Sequence, residues 1–150
     1  MFDLAMTIEY AEENGLTTQM RSDNVLAVEL GARITICFEN DHDQDDTMIY
    51  FERSNGGWHS HGDLFSDDSG NLALVPIDVL QSIIEGKLLI EITQFPNGAL
   101  NIQLELANGK YDYDLLGDGE IVTLIKMPNK AIQPDACGAA VCFFNVRQDT

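Results

Sequence analysis

The feature that most constrains the fold of this chain is a series of short alternating segments separated by turn residues. From Leu100 to Leu106 every second residue is leucine or isoleucine, and the residues between them are polar. Successive side chains of a β-strand point to opposite faces, so this pattern predicts a strand with one buried face. The flanking sequences Pro96–Gly98 and Asn108–Gly109 are typical of tight turns between antiparallel strands.

Two other segments have helical periodicity instead. Phe2–Glu13 has apolar residues at three- and four-residue intervals, and the Asn14-Gly15 pair that follows is typical of a helix end. Pro76–Glu85 begins with a proline suited to a first helical turn and is followed by Gly86. With about six to eight predicted strands, the expected class is α+β. We expect a mainly antiparallel sheet with an N-terminal helix and a central helix packed on it.

Length and composition predict a single cytoplasmic domain. The 150 residues are enough for one globular domain, 1–150, with a proper core. No apolar run reaches the length of a membrane span, and the first residues lack the basic and small-residue pattern of a signal peptide. The three cysteines, Cys37, Cys137 and Cys142, have apolar neighbours and no metal-pair spacing. This pattern favours reduced, buried thiols in the cytoplasm.

The most unusual stretch of the chain is acidic. Residues 39–68 contain nine acids and one base, a net charge of −8 out of −17 for the whole chain. All three histidines and the single tryptophan lie in the same stretch. Such a negative field repels nucleic acids and anionic membranes and attracts basic partners, so we expect neither nucleic acid nor membrane binding. A negative surface that serves only solubility is the plainer alternative.

The acidic stretch predicts a protein-binding surface, because aromatic side chains bury contact area while carboxylates steer a basic partner. The residues expected at this surface are Asp41, Asp43, Asp45, Asp46, Tyr50, Trp58, His59, His61 and Asp63. The sequence has no nucleophile motif, phosphate-binding glycine loop or informative Cys–His spacing. We therefore predict that the protein is not an enzyme and carries no cofactor.

Two alternatives from other functional classes remain open. His59, His61 and Asp63 are two residues apart, so on a strand they point to one side and together would hold a metal ion for a hydrolase. The pattern opens the His-x-His-x-Asp-His motif of metallo-β-lactamase-like hydrolases, but Leu64 replaces its last histidine. In the other alternative, the carboxylates imitate phosphates and block a DNA-binding protein.

In size, acidity and α+β order, the chain resembles the immunity proteins of bacterial polymorphic-toxin and contact-dependent inhibition systems. The resemblance includes the segment Tyr50–Leu64, followed by the predicted helix Pro76–Glu85 and the predicted strand Lys87–Phe95. It implies a tight inhibitor that binds and neutralises a cognate basic toxin. A nuclease is the toxin that the resemblance favours, and the acidic stretch would cover it.

Overall fold

The computed structural model describes residues 3–31, 33–44, 46–61, 76–106, 117–126 and 141–144. Within them the protein is α+β, as predicted, with two helices and mainly antiparallel strands. The described residues fall into two compact units. The first contains those of Met1–Glu52 and His59–Gln81, and the second those of Arg53–Trp58 and Ser82–Thr150. The boundary falls within the second helix, α2 (Pro76–Ile84).

The first unit is built on one antiparallel sheet of five strands in the order β1-β2-β3-β4-β5. Each strand pairs with the next one in sequence, so the sheet is a meander. The strands are β1 (Thr17–Ser22), β2 (Val25–Gly31), β3 (Ile34–Asp41), β4 (Asp46–Phe51) and β5 (His59–His61).

The helix α1 (Leu4–Glu13) precedes this sheet and contacts β1 and β2. Its first turn is capped by Asp3, whose carboxylate accepts hydrogen bonds from the backbone N–H groups of Ala5 and Met6 at 3.0 and 3.2 Å. The predicted stop is confirmed at Asn14, and Gly15 adopts a φ of 75° that glycine tolerates. The chain therefore turns directly from α1 into β1.

One face of the five-stranded sheet forms the core of the first unit. Alternation along β3 and β4 places Ile36, Phe38 and Ile49 on this face, and none of them is exposed. Asn40 and Thr47 pair across the same face, and the Thr47 hydroxyl donates a 2.6 Å hydrogen bond to the Asn40 side-chain oxygen. This bond satisfies polar groups that would otherwise be costly to bury. We call this surface the buried face.

The second unit contains a four-stranded sheet in the order β7-β6-β8-β9. Its strands are β6 (Leu88–Gln94), β7 (Leu100–Leu106), β8 (Ile121–Ile125) and β9 (Val141–Phe144). The first three pair antiparallel, whereas β9 runs parallel to β8. Two hydrogen bonds join the outer edge of β7 to residues 54 and 55. The backbone N–H of Asn55 donates to the carbonyl oxygen of Leu100 at 2.7 Å, and the backbone N–H of Ile102 donates to the Ser54 hydroxyl at 2.9 Å.

The structure differs from the sequence-based expectation in three respects. Nine strands are described instead of about six to eight, and they belong to two sheets. The strand β1 was not predicted, because its sequence Thr17–Ser22 has no apolar alternation; all its residues except Thr18 are exposed. The pair β8–β9 is parallel. In α2, Leu80 and Ile83 are fully buried, as their spacing predicted.

Other expectations stay predictions. These are the packing of the central helix on a sheet and the single domain. The Asn108–Gly109 turn and the strand expected after it, Lys110–Asp114, lie outside the described residues. Neither described helix is long and apolar enough to span a bilayer.

A half-buried carboxyl in the second unit predicts a pH-dependent stability. Burial, and then the nearby charge of Glu105, raise the pKa of Glu91. The folded state therefore binds this proton more tightly than the unfolded state, and stability falls as the pH rises through the raised folded pKa. We expect Glu91→Gln to raise the melting temperature at pH 7 by roughly 2–4 °C and to have no effect near about pH 4.

Thermal unfolding followed by circular dichroism at several pH values measures this effect. Asp118→Asn is the matched control, because Asp118 is exposed on a turn of the same unit. The control is expected to melt like the wild type at every pH. An equal shift in both variants would assign the effect to overall charge, and no shift in Glu91→Gln would contradict the prediction.

Candidate functional site

The face of the five-stranded sheet opposite the buried face gathers most of the predicted site residues. Strand alternation and register place Asp41, Asp46, Tyr50, His59 and His61 on this side. They come from three adjacent strands, because Tyr50 lies opposite both Cys37 of β3 and His59 of β5. We call this surface the polar face. Its residues are Thr17, Gln19, Val25, Ala27, Glu29, Thr35, Cys37, Glu39, Asp41, Asp46, Met48, Tyr50, His59 and His61, together with Glu52 after β4 and Arg21 of β1.

The polar face is acidic around an apolar strip. Its five acids are Glu29, Glu39, Asp41, Asp46 and Glu52, and Arg21 is its only lysine or arginine, which gives a net charge of −4 with neutral histidines. The apolar strip runs across β2, β3 and β4 and consists of Val25, Ala27, Cys37, Met48 and Tyr50. Ala27 and Cys37 are 2% and 1% exposed, so Val25, Met48 and Tyr50 provide the apolar area that a partner can reach. Accessible apolar area beside charged side chains is the usual composition of a protein-binding surface.

The single arginine of the polar face is used within the molecule. The Arg21 guanidinium donates two hydrogen bonds to the Glu52 carboxylate, at 2.8 and 3.0 Å. Because Arg21 is on the edge strand β1 and Glu52 follows β4, this ion pair crosses the sheet over β2 and β3. The Arg21 charge is therefore neutralised inside the chain.

Glu52 also lies beside a cysteine of β3, Cys37. The Cys37 thiol lies 3.7 Å from a Glu52 carboxylate oxygen and its residue is 1% exposed. Burial, and then the negative charge of Glu52, raise the pKa of Cys37 to about 12. A thiol with so high a pKa is protonated at neutral pH, so Cys37 is a packing residue and not a nucleophile.

Tyr50 and Glu39 form the central polar contact of the face. The Tyr50 hydroxyl donates a 3.1 Å hydrogen bond to the Glu39 carboxylate across β3 and β4. Burial, followed by the neighbouring Cys37 and Glu39, raises the pKa of Tyr50. The phenol therefore stays neutral and holds the Glu39 carboxylate in place beside the apolar strip.

The two histidines of β5 lie on the polar face, as their spacing predicted. Their rings pack edge to face with centroids 5.4 Å apart, and the Nδ1 atom of His61 contacts a carboxylate oxygen of Asp46. No three His, Cys, Asp or Glu side chains of the described residues are grouped as a metal site. Asp63, the third residue of the metal alternative, lies outside the described residues.

The remaining predicted residues occupy different places. The Asp41 carboxylate accepts hydrogen bonds from the backbone N–H groups of Asp43 and Gln44, at 3.0 and 3.3 Å, and so shapes the turn between β3 and β4. Asp43 is exposed on that turn, and Asp45 lies outside the described residues. Trp58 is half-buried and belongs to the second unit. Its place in the binding surface stays a prediction.

No protein-family model, curated protein or solved structure matches this chain. The resemblance to immunity proteins therefore stays a prediction, and the argument for function depends on the polar face. Glu29, Glu39 and Met48 belong to that face but were not among the predicted site residues. Two of them could have been found from the sequence, because residues two apart on a strand lie on the same face. Glu39 is two residues from Asp41, and Met48 is two residues from Tyr50.

Proposed function

We propose that the protein is an immunity-type inhibitor that binds and neutralises a cognate basic toxin, a nuclease by expectation, through the polar face. The observation that carries the proposal is the arrangement of the face, in which five carboxylates surround an apolar strip and the only arginine is paired internally. A partner that presents lysines and arginines around an apolar patch is complementary to this surface.

The two components of the face have different roles in binding. Glu39, Asp41 and Asp46 are half-exposed, so their field extends into solvent and attracts a basic partner during diffusion. This attraction sets the association rate and weakens as salt rises. Tyr50 and Met48 are half-buried before binding and offer apolar area that a partner covers, which slows dissociation.

Inhibition would follow from occlusion. A nuclease active site is basic, because it binds a phosphate backbone. An acidic surface that covers this region excludes the substrate by steric overlap and by charge. This mechanism requires no chemical step in the inhibitor.

Where a neighbouring gene encodes a large secreted protein with a basic C-terminal domain, the test uses that domain, purified and assayed for nuclease activity. Wild-type protein should inhibit it. The triple variant Glu39→Gln/Asp41→Asn/Asp46→Asn should associate about tenfold more slowly at low salt, because three steering charges are lost. Stopped-flow or surface-plasmon measurements across a salt series give this rate.

The matched control is Glu9→Gln/Glu13→Gln/Asp118→Asn, which removes three exposed acids from α1 and from a turn of the second unit. It changes the net charge equally and should bind nearly as fast as the wild type. Equal slowing in both variants would show that net charge alone drives association. If the wild type does not inhibit the basic domain, the inhibitor function is wrong.

A further inference from the structure

The edge strand β1 is the most exposed strand of the first unit. Five of its six residues are exposed, and Met20 is one of the few large apolar side chains of the described residues with an open surface, at 39%. No strand of the described residues lies beyond β1 in the sheet order. Exposed edges are usually blocked by lysine, proline or a bulge. In β1 the stretch Thr17–Met20 has none of these, and the register shift begins only after Met20.

The register of the sheet shows which backbone groups face outward. Asn40 donates its N–H to the carbonyl oxygen of Asn24, so even-numbered residues of β2 bond to β3 and odd-numbered ones bond to β1. Opposite those odd-numbered residues lie Thr17 and Gln19, which use their backbone groups toward β2. The N–H and C=O groups of Thr18 and Met20 therefore point away from the sheet.

Charge decides what kind of strand fits this edge. Thr17–Met20 contains no charged residue, although the chain as a whole carries −17. A basic or an acidic strand would find no side chain of opposite charge within this stretch. An uncharged strand with the same pattern of outward groups fits best, and β1 of a second copy is such a strand.

We propose that β1 pairs antiparallel with β1 of a second copy, so that two five-stranded sheets join into one across a two-fold axis. The N–H and C=O groups of Thr18 and Met20 point outward. In the proposed register, these groups of Thr18 in one copy form hydrogen bonds with those of Met20 in the other. Gln19 then lies directly opposite Gln19 of the second copy. This register places uncharged side chains opposite each other from Thr18 to Met20, and Thr17 lies opposite Arg21 of the second copy.

The pair is weak and strengthens with salt. A pair of such short strands buries less surface than a stable dimer requires, so association is expected only at high protein concentration. Each copy carries −17, and salt screens their mutual repulsion. Rising salt therefore favours the dimer, whereas it weakens binding of a basic partner. The dimer does not depend on the proposed function, and the opposite salt responses separate the two.

Cysteine cross-linking tests the register. The two Gln19 residues lie opposite each other with no backbone hydrogen bond between them. The Cα atoms of such a pair are about 4.5 Å apart, which is within disulfide range. Gln19→Cys, oxidised with oxidised glutathione, should form a 19-to-19 disulfide whose yield rises with protein concentration and with salt. Thr17→Cys is the matched control on the same face of β1. In this register its two copies lie roughly 14 Å apart, too far to bridge.

Peptide mapping identifies the linked residue and separates it from the native cysteines. Circular dichroism confirms that each variant is folded, which is expected because Gln19 and Thr17 are exposed. Sedimentation of the wild type across concentration and salt should show a growing dimer fraction. Equal cross-linking of both variants would indicate random collision and overturn the register. A wild type that stays monomeric at the highest concentration and salt, without cross-linking of Gln19→Cys, would overturn the dimer.

Discussion

Phe38→Ala is expected to lower the free energy of unfolding by about 3–5 kcal/mol. Phe38 lies in the middle strand of the five-stranded sheet, between Leu26 of β2 and Ile49 of β4, and all three side chains are fully buried. Truncation removes the apolar area of a whole ring and leaves a cavity that the paired strands cannot close. Domains of this size are commonly stable by only about 5–15 kcal/mol, so the loss is a large fraction of the total.

Urea unfolding measures this change, with Phe38→Leu as the control. Leucine retains most of the buried apolar surface and should cost less than about 1.5 kcal/mol. Trp58 belongs to the second unit and Phe38 to the first. If the chain unfolds as one domain, Trp58 fluorescence and circular dichroism will shift together in Phe38→Ala. An unchanged fluorescence transition would show that the two units unfold separately and would contradict the single-domain prediction.

The sequence predicted the elements whose periodicity decides their structure. The alternation along Leu100–Leu106 predicted a strand with one buried face, and Ile102 and Leu104 of β7 are buried. The spacing of Leu80 and Ile83 likewise predicted α2. The strand β1 gave no such signal, because an edge strand that buries almost no side chain needs no apolar alternation. Its place is set by backbone pairing with β2, which the residue pattern does not record.

Strand partners explain the other differences. A list of strands does not state which edges meet, so the division into two sheets could not be read from the pattern. Cys37 is buried, as its apolar neighbours predicted, and is 1% exposed. Its neighbours in the fold could not be read from the pattern in the same way. It lies beside Glu52, which Arg21 reaches from three strands away, and that contact joins residues 31 positions apart in the sequence.

The candidate site was predicted in part for a related reason. The acidic composition of residues 39–68 identified the region, and β-strand parity explains why Asp41, Tyr50 and His61 share a face. Sequence proximity was a poorer guide than parity. Trp58 is adjacent to His59 in the chain but belongs to the second unit, whereas Glu29 lies on the polar face from outside the acidic stretch.

Tyr50→Ala is expected to speed dissociation of the basic partner about 30-fold, equivalent to about 2 kcal/mol, with little change in the association rate. The prediction depends on the proposed function. Tyr50 is the only aromatic ring on the apolar strip, and its hydroxyl holds Glu39 at 3.1 Å. Removing the ring deletes contact area at the centre of the surface and releases the carboxylate that a partner cation would meet. Both losses act after the partner has docked.

Surface-plasmon measurements with the purified basic domain separate the two rates. Tyr50→Phe retains the ring and loses only the hydrogen bond to Glu39, so it should lie between the wild type and Tyr50→Ala. Thr35→Ala is the control for position, because Thr35 lies on the same face of β3 outside the apolar strip. If Tyr50→Ala slows association instead, steering and not contact area is its role. If neither rate changes while the acid triple variant still binds slowly, the partner contacts the carboxylates without covering the strip.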